Sequence, residues 1–428
     1  MKTDLDTLMQ SNDLDALLIT GPAQHNPSMV YMTGGGHLTN ADLIKKRGEQ
    51  AVLFYNPMER DEASKSGLQT KNLADYDFTS LLNQSGGDYL KATAKRYQCM
   101  LTDLGISSGR VALYGRSEIG TNYAIFSTLQ QEMPGLDLIG ETNNSVLMLA
   151  RMTKDLTEIE RIRRMGGITT QVVGNVADFI SSHTAKDGVL INSNGSPLTI
   201  GEVKSRINLW LAERGAENPE DTIFAIGHDA GVPHSSGNPN DPLRLGQTIV
   251  FDIYPCEAGG GYFYDFTRTW CLGYASDEVL ELYELVLSAY NHVAQQLQMG
   301  KPFKQYQEMT CDLFSAKGHP TVKENPTTQQ GYVHSLGHGV GLNIHERPWS
   351  GISSDEKDCL VPGSVFTLEP GLYYPDKGMG VRLENTLWAR PDGAMEVLAD
   401  YPMDLILPVK NGWIHLNKKY LFEGDEHV

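Results

Sequence analysis

Five side chains sit where their polarity is out of place. Asp252 interrupts Ile249-Val250-Phe251-Asp252-Ile253-Tyr254, and Asp265 interrupts Gly261-Tyr262-Phe263-Tyr264-Asp265-Phe266-Thr267-Arg268-Thr269. Both runs otherwise read as buried strand. Burying an ionised carboxylate alone costs several kcal/mol, so each aspartate needs a cation unless it ends its strand in a salt bridge or a turn. His334, His338 and His345 are three of the chain's twelve histidines and crowd into the glycine-rich run His334-Ser335-Leu336-Gly337-His338-Gly339-Val340-Gly341-Leu342-Asn343-Ile344-His345. The glycines let backbone approach an ion closely, and they break any helical face, so this is not the HExxH zinc helix. Glu369 lies in Thr367-Leu368-Glu369-Pro370-Gly371, where Pro370-Gly371 makes an immediate turn, and Glu384 lies in Val381-Arg382-Leu383-Glu384-Asn385-Thr386. Either glutamate taken singly reads as a surface residue.

Together these residues are more specific than any one of them. Four carboxylates and an imidazole, Asp252, Asp265, His338, Glu369 and Glu384, form an oxygen-rich donor set with one nitrogen, suited to divalent Mn, Co, Fe or Zn. Their charge of −4 is matched by two divalent ions. Without ions the carboxylates would have to share space, with their pKa values raised. Two ions about 3.5–4 Å apart can clamp a water and lower its pKa towards hydroxide.

Around these positions the chain reads as alternating elements. Leu5 to Leu14 suits a short helix, Ala16 to Thr20, Ala51 to Tyr55 and Val111 to Tyr114 suit short buried strands, and Tyr89 to Leu104 has helical spacing. The pattern is that of a small α/β domain with a mostly buried sheet. A boundary follows near residue 153. Asp155 and Glu158 have capping-box spacing, and Leu156, Ile159, Ile162, Met165, Ile168, Val172, Val176 and Phe179 mark one face of a long helix, which Gly166-Gly167 should weaken or kink. Further helices are expected over 201–214 and 276–299, and strands over 247–254, 262–270, 364–368 and 378–389. The second domain therefore reads as α+β.

The bulk composition excludes several function classes. The chain has 428 residues, 40% hydrophobic and 21% charged, and a net charge of −18, as a globular acidic protein of two or three domains would. Such a surface disfavours nucleic acid and anionic membranes, and the basic clusters Lys45-Lys46-Arg47, Arg161 to Arg164 and Lys418-Lys419 are short and read as solvated faces. Five scattered cysteines without a CxxC pair suit reduced thiols in a cytoplasmic protein. The first residues lack the apolar core of a signal peptide, and no apolar run of about 18 residues suggests a membrane span.

In type and order the polar segments closely resemble the pita-bread metallopeptidases of the Xaa-Pro peptidase, creatinase and methionine aminopeptidase group, over residues 155 to 410. More weakly, residues 1 to 150 resemble the N-terminal domain shared by proline-specific peptidases and creatinase. The resemblance implies a smaller α/β domain at 1–153 and an α+β pita-bread catalytic domain at 154–428. It implies two metal ions held by Asp252, Asp265, His338, Glu369 and Glu384, with Asp265 and Glu384 bridging both, Asp252 on one and His338 and Glu369 on the other. His234, His345, Arg382 and His334 also match family positions. The implied reaction is attack of a metal-bridging hydroxide on the carbonyl before proline in dipeptides or short peptides, with Glu369 shuttling the proton and His345 and His234 stabilising the oxyanion. Manganese is the expected ion, with Co, Zn or Fe as alternatives, and a homodimer is the expected assembly.

Where the family has Asp-x-Gly, this chain has Asp252-Ile253-Tyr254 followed by Pro255 and Cys256, and Gly259-Gly260-Gly261 lengthens the gap between the aspartates. That bears on substrate choice. Intact ligands argue against creatinase chemistry, and the large N-terminal domain argues against methionine aminopeptidase. The remaining alternatives are a metal-dependent lyase of this fold acting on a non-peptide substrate such as dimethylsulfoniopropionate, or a non-catalytic binding relative.

Overall fold

The computed structural model describes residues 4–142 and 144–410. The Lys418-Lys419 cluster and the first three residues lie outside them. The chain divides into two compact units. One comprises the described residues up to Glu158 together with Cys256–Phe263 and Val340–Arg347. The other comprises Ile159–Pro255, Tyr264–Gly339 and the described residues from Pro348 onward.

The first unit is built on a six-stranded sheet. Its strands are β1 (Ala16–Gly21), β2 (Ala41–Lys46), β3 (Val52–Tyr55), β4 (Gln69–Asn72), β5 (Gly109–Gly115) and β6 (Leu136–Gly140), in the order β4-β3-β2-β1-β5-β6. β1 runs parallel to β5 and antiparallel to β2. The continuous apolar run of β1 is explained by burial on both faces: Leu17 and Ile19 enter one hydrophobic cluster, Ala16 and Leu18 the other. Helices Leu5–Ser11 and Tyr89–Asp103 occupy the expected stretches.

The helix Leu156–Ser181 begins with the reciprocal cap that its spacing predicts. The Glu158 N–H donates to Asp155 Oδ1 (3.0 Å), and the Asp155 N–H donates to Glu158 Oε2 (2.8 Å). Gly166-Gly167 does not break it. Within the second unit a Cβ on Gly166 would lie 2.6 Å from the Tyr264 ring and 2.8 Å from the Ala399 methyl, so the glycine is there for close packing. Gly166→Ala should therefore destabilise the fold, by about 1–3 kcal/mol from overpacking, although alanine is the better helix former. A urea-denaturation midpoint at or above the wild-type value would contradict this packing role.

The site-bearing part of the second unit is built on two sheets and a two-stranded ribbon. In the first sheet β7 (Thr222–Ile226), β8 (Thr248–Ile253) and β9 (Phe266–Leu272) lie side by side and antiparallel. In the second, β10 (His338–Gly339), β11 (Val365–Leu368), β14 (Asn385–Ala389) and β15 (Met395–Val397) are neighbours. The ribbon pairs β12 (Gly371–Tyr374) with β13 (Met379–Arg382). Helices Asp277–Gln296 and Lys304–Ser315 cover the apolar side of these strands.

Two expected strands differ from the observed ones. The segment 262–270 becomes strand only at Phe266, because the turn before it uses its own donors. The N–H groups of Gly260 and Gly261 donate to the Glu257 carbonyl, and that of Tyr262 donates to Glu257 Oε2. The segment 378–389 splits into β13 and β14 at Leu383–Glu384, which proves central to the site. Among the described residues no helix is long and apolar enough to cross a membrane.

Candidate metal centre

The two glutamates face each other across an interrupted hairpin. β11 pairs with β14 and β12 with β13, and the register is the same on both sides of the break: Leu368 opposes Asn385 before it, and Gly371 opposes Arg382 after it. Glu369 therefore stands opposite Glu384 where both strands leave their ladders. Alternation does the rest. Phe366, Leu368, Leu372, Val381, Leu383 and Leu387 enter the clusters packed on the helices, so Thr367, Glu369, Tyr373, Arg382, Glu384 and Thr386 take the other face.

The two aspartates share a face on the neighbouring hairpin. Asp252 opposes Thr267 on β9, and Asp265 lies two residues before Thr267, so both carboxylates project from the same side. His338 comes from β10, its N–H held by Thr367 Oγ1 at 3.0 Å. Carboxylate or imidazole atoms of Asp265, His338 and Glu384 all lie within 4.8 Å of one another. Glu369 joins through His338 Nε2, 3.4 Å from its Oε1, while Asp265 Oδ2 is 3.5 Å from the same nitrogen. Asp252 flanks them, its Oδ2 accepting from Arg382 Nη2 at 2.6 Å.

Apart from that one arginine, the acidic groups repel. Burial and the charges of Asp252 and Glu369 push the Asp265 carboxyl well above the usual carboxylate range. Burial and the other three carboxylates do the same to Glu384, and burial and Asp252 raise Glu369, against Arg382. The donor atoms fit a divalent cation. Asp252 Oδ1 and Glu384 Oε1 are buried without a hydrogen-bond partner among the described residues. His338 Nδ1 lies 3.1 Å from the Gly339 carbonyl, and donating there leaves the neutral ring's Nε2 lone pair aimed at carboxylate oxygens. A cation between them turns that repulsion into ligation. Arg382 corrects the charge argument made from sequence, since it brings −4 to −3. Charge alone then no longer chooses two ions over one.

Several residues that sequence reasoning missed hold these side chains in place. Thr267 Oγ1 donates to Glu384 Oε2 (2.6 Å) and accepts from Arg382 Nε (3.1 Å). Thr367 Oγ1 donates to Glu369 Oε1 at 3.2 Å, and Thr386 Oγ1 donates to the Asp265 carbonyl at 2.8 Å. A signal was present in the sequence: each of Asp265, Glu369 and Glu384 has a threonine two positions away, on the same strand face. Tyr373 was missed as well. Its hydroxyl accepts from Arg382 Nη1 (2.7 Å) and donates to His334 Nε2 (2.9 Å), while His334 Nδ1 donates to the Ser335 carbonyl (2.7 Å). Burial, aided by Arg382 and His234, pushes His334 down to about 3, so it is a neutral support for Tyr373.

His234 is exposed, and the carbonyl of the preceding Pro233 accepts from Arg382 Nη1 at 3.3 Å, which ties its loop to the same arginine. His345 lies in the Val340–Arg347 segment, which groups with the first unit.

Comparison with known proteins gives a consistent family likeness. The profile of Metallopeptidase family M24 matches residues 160–391. An Xaa-Pro dipeptidase of Pyrococcus furiosus is 33% identical over 194 residues, 45% of this chain and about half (51%) of that protein. A second Xaa-Pro dipeptidase, of Pyrococcus horikoshii, is 25% identical over 90% of this chain and 93% of its own length. Among solved structures, an Xaa-Pro dipeptidase from Bacillus anthracis superposes with a TM-score of 0.72 at 24% identity, over 94% of this chain and 99% of that one. At that identity the likeness speaks for the fold.

Proposed function

The chain belongs to metallopeptidase family M24, with the pita-bread fold, and from that premise we propose that it is a dinuclear metal-dependent peptidase hydrolysing the Xaa-Pro bond at the N-terminus of dipeptides or short peptides. The observation that carries the reading is the convergence of Asp265, His338 and Glu384, flanked by Glu369 and Asp252, with buried carboxylate oxygens that nothing among the described residues satisfies. Named Xaa-Pro dipeptidase relatives support the substrate class.

In this reading Asp252, Asp265, His338, Glu369 and Glu384 hold the ions. Divalent ions bound there would polarise the scissile carbonyl and lower the pKa of a water. The protein supplies the rest. Glu369, raised by burial, takes the proton from the attacking water and delivers it to the leaving imino nitrogen. Arg382 orients Asp252, and Thr267 and Thr367 orient Glu384 and Glu369. His234 would donate to the developing oxyanion, the role the family resemblance also gives to His345. Manganese is the proposed ion, with Co, Zn or Fe as the other candidates. A cytoplasmic homodimer completes the proposal, in keeping with five scattered cysteines that form no CxxC pair and with the family resemblance.

The test is release of the N-terminal residue from Ala-Pro, Ala-Pro-Ala and Ala-Ala by metal-stripped protein, before and after adding Mn. Cleavage of the proline peptides alone, and only with Mn, is expected, and the preferred length separates dipeptidase from aminopeptidase. Bound Mn without cleavage of any of the three would shift the reading to a non-peptide substrate, as in a lyase. A chain that takes up no metal would point to a binding protein.

A further inference from the structure

Arg268 is fully buried, yet all five of its hydrogen-bond acceptors are uncharged. Nε donates to the Pro402 carbonyl (2.9 Å). Nη1 donates to the carbonyls of Thr267 (2.9 Å) and Glu384 (2.7 Å). Nη2 donates to Asn385 Oδ1 (3.0 Å) and the Tyr401 carbonyl (2.7 Å). The guanidinium stacks 4.1 Å from the centre of the Phe266 ring. A buried positive charge without a carboxylate among its hydrogen-bond acceptors is expensive, so its setting must supply what a counter-ion would.

The setting is the back of the carboxylate cluster. Arg268 lies on β9 next to Thr267, with its side chain on the face opposite to Asp252, Asp265 and Thr267. From there it grips the main chain at the point where β13 and β14 part. The Glu384 N–H donates to the Thr267 carbonyl (3.1 Å), and the Glu384 carbonyl accepts from Arg268, so both ends of this residue are fixed by the 267–268 pair. Asn385 Nδ2 donates to the Tyr290 hydroxyl (2.7 Å), which turns its amide oxygen towards Arg268. The strand break would otherwise leave the Glu384 backbone outside any ladder.

We propose that Arg268 is a positioning residue for the metal centre, fixing the main chain of Glu384 from behind. The inference rests on the reading of that cluster as a metal site. Removing groups that orient a metal's ligands weakens affinity by roughly 10–100-fold, which sets the expected scale.

The experiment measures Mn affinity of the full chain by competition with a chromophoric chelator, together with the melting temperature with and without Mn. Arg268→Lys keeps the charge but not the five-bond grip, and should weaken Mn binding about tenfold and shrink the Mn-induced rise in melting temperature. Asn385→Ala, which removes one acceptor, should shift both readouts in the same direction by less, and it carries the test if the lysine variant does not fold. A merely structural role would lower the melting temperature equally with and without Mn and leave affinity unchanged, and that result overturns the proposal. Failure of the wild-type chain to bind Mn would remove the metal-site reading and this inference with it, so the two failures are distinguishable.

Discussion

Glu369→Gln should lower kcat for Ala-Pro by about three orders of magnitude, within the range of 10²–10⁴ that a positioned general acid–base contributes. The substitution is nearly isosteric. Its amide oxygen can still accept from Thr367 Oγ1, which lies 3.2 Å from Oε1 in the wild type, so the hairpin should be undisturbed. What is lost is the ability to take up and release a proton, in a residue whose burial already inclines it to hold one. Metal analysis run beside the kinetics separates the two duties of this carboxylate. Loss of rate with Mn retained assigns the proton transfer to Glu369. Loss of both makes it chiefly a ligand, and a near-normal rate with Mn bound eliminates the proton-transfer role.

The second large effect concerns pH. In the metal-free protein Asp265, Glu369 and Glu384 are raised, Glu369 from 4.5 to about 8. A raised carboxyl keeps in the folded state a proton that the unfolded chain gives up, so stability falls as pH rises through this window. The contribution is fully present below the unfolded pKa of 4.5 and lost above the folded value. For Glu369 alone the change is on the order of a few kcal/mol. Cations require the deprotonated groups and release their protons on binding, so Mn acts in the opposite sense. The rise in melting temperature produced by saturating Mn should therefore be several degrees larger near pH 8 than near pH 5.5. Comparing the rise, not the melting temperature itself, cancels the titration of every group away from the site. An equal rise at both values would mean that the cluster does not carry these protons.

Legibility in the sequence followed the physics of each feature. The long helix from Leu156 could be read because its apolar stripe and its Asp155/Glu158 cap are local patterns, and both are present. Its glycines misled, because the reason for Gly166 is a ring and a methyl from distant parts of the chain, which no window of sequence contains. The polar interruptions at Asp252, Asp265, Glu369 and Glu384 were visible because each breaks a run that needs apolar residues. That the last two lie in breaks of their ladders was not visible, since nothing local separates an interrupted hairpin from a continuous one. Arg382 could be named from family resemblance, but its pairing with Asp252 could not. Arg268 left no polar anomaly to notice, because a strand that alternates between faces tolerates an arginine on either of them.

The shared register on the two sides of the Glu369–Glu384 gap bears on how such a centre assembles. Each pair of acidic side chains is carried by a single hairpin, Asp252 with Asp265 on β8–β9 and Glu369 with Glu384 on β11 to β14. Contacts within a hairpin close on a timescale of roughly microseconds and need little loop entropy, whereas docking one hairpin on another is a distant contact and slower. Like charges therefore meet twice during folding, first within each hairpin and then between the two. The second encounter brings the most repulsion together, and it is the one a cation would relieve most, so Mn supplied during refolding should speed the docking phase more than hairpin closure.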